Sequence, residues 1–142
     1  MVANGSRIST KNDEFIQDGG PDRWQDITDT GAELLLMRGT PRPGDNVADC
    51  LADGGSPTEC GATSSQIGET NPLAAVDLPD GAHQIDMIPH VCPSYDTAET
   101  CPAVIGNVVV WYDGSHLTNT YAATMAPIIE AKLREAVPRL FE

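Results

Sequence analysis

Four cysteines fall into two local pairs, Cys50 with Cys60 and Cys92 with Cys101, each inside a segment crowded with Gly, Pro, Ser, Thr and Asp. Such segments are loops, because those residues set special backbone angles or bond back to their own main chain. The spacing departs from the spacers of about two to four residues that mark zinc sites. Disulfides fit better: closing a loop of about ten residues stabilises a fold by roughly 2 to 3 kcal/mol where the compartment is oxidising. Free thiols of a reducing compartment are the other reading, and four cysteines permit three pairings that sequence does not separate.

Charge narrows the function classes. With 21 acidic and 8 basic side chains in 142 residues the formal charge is −13, so a polyanion is repelled and no nucleic acid is expected as partner. The length suits one domain, read here as residues 1–142. Apolar residues make up 40% of it, enough for a packed core. The longest apolar runs, Leu34 to Met37 and Asn107 to Tyr112, fall far short of the roughly 18 residues of a bilayer helix. The opening MVANGSRIST lacks the apolar centre of a secretory signal, so no export address is expected in it.

The pattern predicts a helix over Pro21 to Thr30, with Pro near its start and Gly31 at its end. Ala32 to Arg38, with its Glu-Leu-Leu-Leu-Met run stopped by Gly39-Thr40-Pro41, reads as a strand buried on both faces of a parallel sheet. Pro41 to Thr63 reads as irregular loop. A short helical segment is expected at Asn71 to Val76 and a second strand at His83 to Ile88. Ala103-Val104-Ile105 and Val108 to Tyr112 flank Gly106-Asn107, a hairpin signature. From Thr118, a plausible cap, Tyr121, Met125, Ile128, Ile129 and Leu133 recur at helical steps, and Pro127 predicts a kink or a new first turn. Together these elements imply an α/β layered domain.

The chemically informative stretch is Trp111-Tyr112-Asp113-Gly114-Ser115-His116-Leu117-Thr118, between a strand end and the last helix, where open α/β sheets place their sites. A carboxylate and an imidazole three residues apart in a Gly-containing turn can face each other. Asp113 would then accept the Nδ1 proton of His116 and leave the other nitrogen as a base, the orienting half of a Ser-His-Asp device. The bland alternative is a helix-entry turn beside a solvated histidine. His83, Asp86 and His90 are the metal ligands to weigh; His83 and Asp86 stand at odd separation on opposite strand faces, so no metal and no cofactor is expected.

Asp113-Gly114-Ser115-His116-Leu117-Thr118, followed by Tyr121 and Ala122, resembles the closing Asp-x-x-His-Leu-[Ser/Thr] block of SGNH-type hydrolase domains, particularly those attached to acyltransferase-3 membrane proteins. Cys92, Cys101-Pro102-Ala103-Val104-Ile105-Gly106-Asn107, and Arg38 with Thr40-Pro41-Arg42-Pro43, Cys50 and Leu51 also look like the extracytoplasmic branch of that family. The resemblance spans about Leu34 to Leu133. It implies a partial SGNH or flavodoxin-like three-layer sandwich, with a mainly parallel sheet and a β-hairpin before the last helix. It implies acyl-ester chemistry between an acyl donor and a carbohydrate hydroxyl, with Asp113 orienting His116, in an extracytoplasmic domain tethered to a membrane protein.

The departures are equally specific. The family's Gly-Asp-Ser nucleophile block has no counterpart: Gly44-Asp45-Asn46 has the wrong third residue, and Ser6, Ser9, Ser64, Ser65 and Ser94 lack a strand-turn-helix setting. Ser115 holds a variable position, and Gly39 stands where relatives carry Asp. Met1 to Arg7 is either a frayed terminus or the tail of the central strand, and the second reading makes Asn4 a candidate oxyanion donor. The expectation is the carboxy-terminal portion of an SGNH domain, inactive alone. Its expected partner is an amino-terminal and membrane portion, or a second copy pairing through an exposed sheet edge. The competing expectation is a secreted, disulfide-stapled binding module without catalysis.

Overall fold

The computed structural model describes residues 1–8, 14–63, 71–96 and 100–142. Its centre is β4 (Leu34–Met37), in which Leu34 and Leu36 are fully buried and Leu35 nearly so. Side chains alternate along a strand, so Leu34 and Leu36 serve one layer and Leu35 and Met37 the other. β1 (Val2–Asn4) and β6 (Ala82–Ile85) flank β4 in parallel, in the order β1-β4-β6, with Ala3 opposite Leu36 and Met37 opposite Ile85. A parallel sheet is viable only when both faces are covered.

On one face, Trp24 of α1 (Gly20–Thr28) and Leu73 of the 3-10 turn Pro72–Ala75 pack on Leu34 and Leu36. On the other, Leu35 and Ile85 meet a larger core. It includes Val47 of α2 (Val47–Ala52), Val91 of α3 (Ile88–Val91) and Tyr121 of α4 (Asn119–Thr124), with Ile129 and Leu133 of α5 (Ala126–Ala136) against it. The result is the three-layer α/β arrangement that the resemblance implies. β1 lies at the sheet edge, not at its centre as expected; the central place goes to the Leu-rich β4, the strand with the most apolar surface to hide on both sides.

Three short antiparallel pairs surround the sheet: β2 (Arg7–Ile8) with β3 (Glu14–Phe15), β5 (Ala62–Thr63) with β7 (Thr100–Cys101), and β8 (Val104–Ile105) with β9 (Val108–Val109). Gly106 and Asn107 both take positive φ, 55° and 64°, the backbone of the two-residue hairpin turn expected there. Both cysteine pairs are disulfides of the local pairing, with Cα separations of 5.7 Å for Cys50–Cys60 and 4.9 Å for Cys92–Cys101. The β5–β7 pairing sets Ala62 opposite Cys101 and so joins the two stapled loops.

Two local expectations change, and of the two alternatives for Pro127 the structure selects one. The segment read as irregular contains α2, because the Asn46 side chain accepts the Asp49 N–H as a cap and Val47 is fully buried. The strand expected to reach Ile88 stops at Ile85, since Asp86 Oδ1 accepts the Ile88 N–H at 2.8 Å and opens α3. The last helix divides at Met125 into α4 and α5, and Pro127 sits in the first turn of α5, where its missing donor leaves no bond unmade.

Candidate active site

The turn from Tyr112 to Leu117 is closed at its base by a bridge between Trp111 and Leu117 and by a 2.7 Å bond from the Tyr112 N–H to the His116 carbonyl. Its floor is fixed from below. Trp111 is fully buried and its Nε1 donates to the Pro41 carbonyl at 3.0 Å. Thr118 then caps α4, accepting the Tyr121 N–H and donating to the Val109 carbonyl. Tyr121 donates its hydroxyl to the His90 carbonyl, and burial pushes its pKa up.

Within the turn, Asp113 Oδ1 accepts the backbone N–H groups of Ser115 at 2.7 Å and His116 at 2.8 Å. Its Oδ2 stands 2.9 Å from His116 Nδ1. The His116 side chain, together with the two backbone donors, holds the Asp113 carboxyl far below the ordinary carboxylate range. An ionised carboxylate only accepts, so the ring nitrogen facing it carries the proton. Nε2 is then the basic nitrogen, and it has no hydrogen-bond partner among the described residues. The His116 side chain is 78% exposed.

Ser115 does not face that nitrogen. Its hydroxyl lies 3.1 Å from His116 Nδ1 and 3.3 Å from Asp113 Oδ1, on the carboxylate side of the ring. Ser6 is buried and occupied, donating to Glu14 Oε1 at 2.6 Å and accepting the Gly39 N–H at 2.9 Å. Ser94 donates to the Thr100 carbonyl. Ser9, Ser64 and Ser65 lie outside the described residues.

Two contacts that the sequence did not announce place the turn on the sheet. The loop after β4 returns at Gly44, whose N–H donates to the Gly114 carbonyl at 3.1 Å. A Cβ at Gly114 would stand 2.5 Å from the Gly44 carbonyl oxygen, so only glycine permits this approach. Behind it, Arg38 at the end of β4 is buried with Glu14 at 2.8 Å and Asp86 at 3.1 Å. Burial works against that guanidinium charge, but the two carboxylates outweigh it and raise its pKa. The pairing ties the β2–β3 hairpin and the end of β6 to the Arg38–Thr40 crossing.

The outcome is one concave site at the carboxyl ends of the parallel strands. A cavity of about 520 Å³ brings Asn4 at the end of β1 together with Gly39 and Thr40 after β4 and with Ser115 from the turn. Asn4 is exposed and its side chain makes no hydrogen bond among the described residues. Of the residues weighed as metal ligands, His83 and Asp86 have separate partners: His83 Nε2 lies 2.6 Å from Glu33 Oε2, and Asp86 is held by Arg38.

A family model described as the SGNH domain fused to AT3 domains matches residues 9–131. Neither a curated protein nor a solved structure matches the chain.

Proposed function

We propose that this chain, which belongs to the family of SGNH domains fused to AT3 domains, supplies the acid–imidazole half of an acyl-transfer site for a carbohydrate hydroxyl. Membership carries the coarse statement, a domain of the hydrolase and acyltransferase type. The finer reading rests on one observation: an exposed His116 whose Nδ1 is engaged by Asp113 at 2.9 Å and whose Nε2 is open at the carboxyl end of a parallel sheet.

In this reading a serine hydroxyl approaches Nε2 and gives it a proton while its oxygen attacks the ester carbonyl. Asp113 stabilises the imidazolium through the Nδ1–H bond. The Asn4 side-chain amide donates to the oxyanion that forms. The imidazolium then returns its proton to the departing alkoxide, leaving an acyl-serine, and the second half runs the same steps in reverse with a sugar hydroxyl or water as acceptor. None of the described serines stands at Nε2, so the nucleophile comes from a strand outside them. The edge of β1 that has no strand neighbour among the described residues is its natural docking place, since a parallel neighbour there ends beside Asn4. A second copy pairing at that edge is the competing occupant. The disulfides suit an extracytoplasmic setting, and no described helix is long and apolar enough to cross a membrane.

The test is acetyl release from p-nitrophenyl acetate, and acetyl transfer to an oligosaccharide, by this chain alone and joined to the polypeptide encoded immediately upstream. Activity should appear only in the joined form and vanish in His116→Ala. Full activity in His116→Ala refutes the proposal, and a joined form without acyl chemistry favours the binding module.

A further inference from the structure

The cavity beside the turn differs in charge from the rest of the molecule. The chain has 21 acidic side chains against 8 basic, yet among the described residues lining this cavity none is acidic and two are arginines, Arg7 and Arg42. Arg38, Arg134 and Arg139 are all absorbed in ion pairs with the surplus carboxylates. Arg7 and Arg42 are exposed and meet no carboxylate among the described residues. They reach the cavity from different elements, Arg7 from β2 and Arg42 from the loop that also braces Gly114, and Ser115 closes the same wall. The same cavity is lined by Ile8, which is buried, and by Phe15, 42% exposed, so an aromatic surface stays open beside two cations.

From this geometry we infer that the acceptor is an acidic sugar, one whose ring carries a carboxylate or phosphate oxyanion. The inference rests on the proposed acyl-transfer reading and names its substrate class. Two guanidinium forks match an oxyanion in geometry and charge. Phe15 gives the apolar face of a pyranose a surface to cover. The cavity's position beside Ser115 delivers a ring hydroxyl toward the turn. Net charge does not forbid this: at about 0.1 M salt the field of distant carboxylates is screened beyond about 10 Å, whereas fork contacts at hydrogen-bond range persist.

The experiment is an NMR titration of the oxidised, folded chain, following the arginine Nε–Hε signals and the Ser115 amide. Digalacturonate, glucose 6-phosphate, digalactose and inorganic phosphate are the probes. Both acidic sugars should shift Arg7, Arg42 and Ser115, digalactose should not, and phosphate without a ring should bind about tenfold more weakly. Arg7→Gln and Arg42→Gln should each weaken digalacturonate by about tenfold, with an unchanged melting temperature. Equal binding of digalactose, silent arginine signals, or phosphate binding as tightly as the sugar phosphate would each overturn the inference. The catalytic reading is judged separately, by the protonation of His116 Nδ1: a failed titration with that proton in place removes the acidic acceptor alone.

Discussion

Gly114→Ala is the substitution that most directly probes how the turn is held. The added Cβ would lie 2.5 Å from the Gly44 carbonyl oxygen, 2.8 Å from its carbon and 3.2 Å from the Asp45 oxygen. All three are backbone atoms, so no side-chain rotation relieves the clash; the two segments must separate by about 0.9 Å to regain ordinary contact. That lengthens the 3.1 Å Gly44–Gly114 hydrogen bond past useful range, at about 1 kcal/mol. Overpacking adds about 1 to 3 kcal/mol, and the lower backbone entropy of alanine in the unfolded chain returns about 0.4 to 1 kcal/mol. The net loss is about 1 to 4 kcal/mol, which for a domain of this size lowers the melting temperature by roughly 4 to 15 °C. Calorimetry with the disulfides intact measures this. The Trp111 indole N–H signal should shift as well, because its acceptor, Pro41, begins the loop that must move. A melting temperature within about 1 °C of the parent, with that signal unmoved, would refute the account.

Asp113→Asn should keep the turn, since an amide oxygen can still accept the Ser115 and His116 N–H groups, but it turns an NH2 toward Nδ1. The imidazole should then carry its proton on Nε2, which long-range 1H–15N spectra detect; an unchanged tautomer contradicts the geometry, and in the joined enzyme the loss of rate should approach about 10⁴-fold. The folded-state pKa of Asp113 is depressed, so its contribution to stability is fully present above the unfolded value near pH 3.9 and drains away as pH falls toward the folded value. The melting curves of the parent and Asp113→Asn should therefore stay apart at neutral pH and draw together progressively as pH falls below about 4, with a constant gap counting against the bond. Replacing both Cys92 and Cys101 by Ala should lower the urea unfolding free energy by about 2 to 3 kcal/mol, and a change below about 0.5 kcal/mol would mean that the loop is held by other contacts.

Where sequence reading succeeded, the interactions concerned are local. Gly106-Asn107 announces its turn because positive φ is a property of those residues, and Asp113-x-x-His116 announces its contact because a short turn brings positions three apart together. Where it failed, a partner distant in sequence decided the matter. Proline, glycine and aspartate density hid α2, whose reason to exist is the burial of Val47 beneath the sheet. The alternation of His83 to Ile88 hid the end of the strand at Ile85, where Asp86 turns to meet Arg38 from the end of β4. Arg42 was visible only as part of Thr-Pro-Arg-Pro, and no pattern signalled that it shares a cavity with Arg7.

By itself, then, the order of residues marked the two cysteine-bearing loops, the Leu-rich strand buried on both sides, the hairpin and the acid–imidazole turn, because each is a short-range consequence of backbone angles, alternation or spacing; the structure decided among the three cysteine pairings. Only the tertiary structure decided that β1 lies at the edge with Asn4 at its exposed end, that Gly44 meets Gly114, and that Arg38 is buried between Glu14 and Asp86. Those contacts join segments tens of residues apart, and they form because covering both faces of a parallel sheet leaves its carboxyl ends as the place where the connecting loops converge.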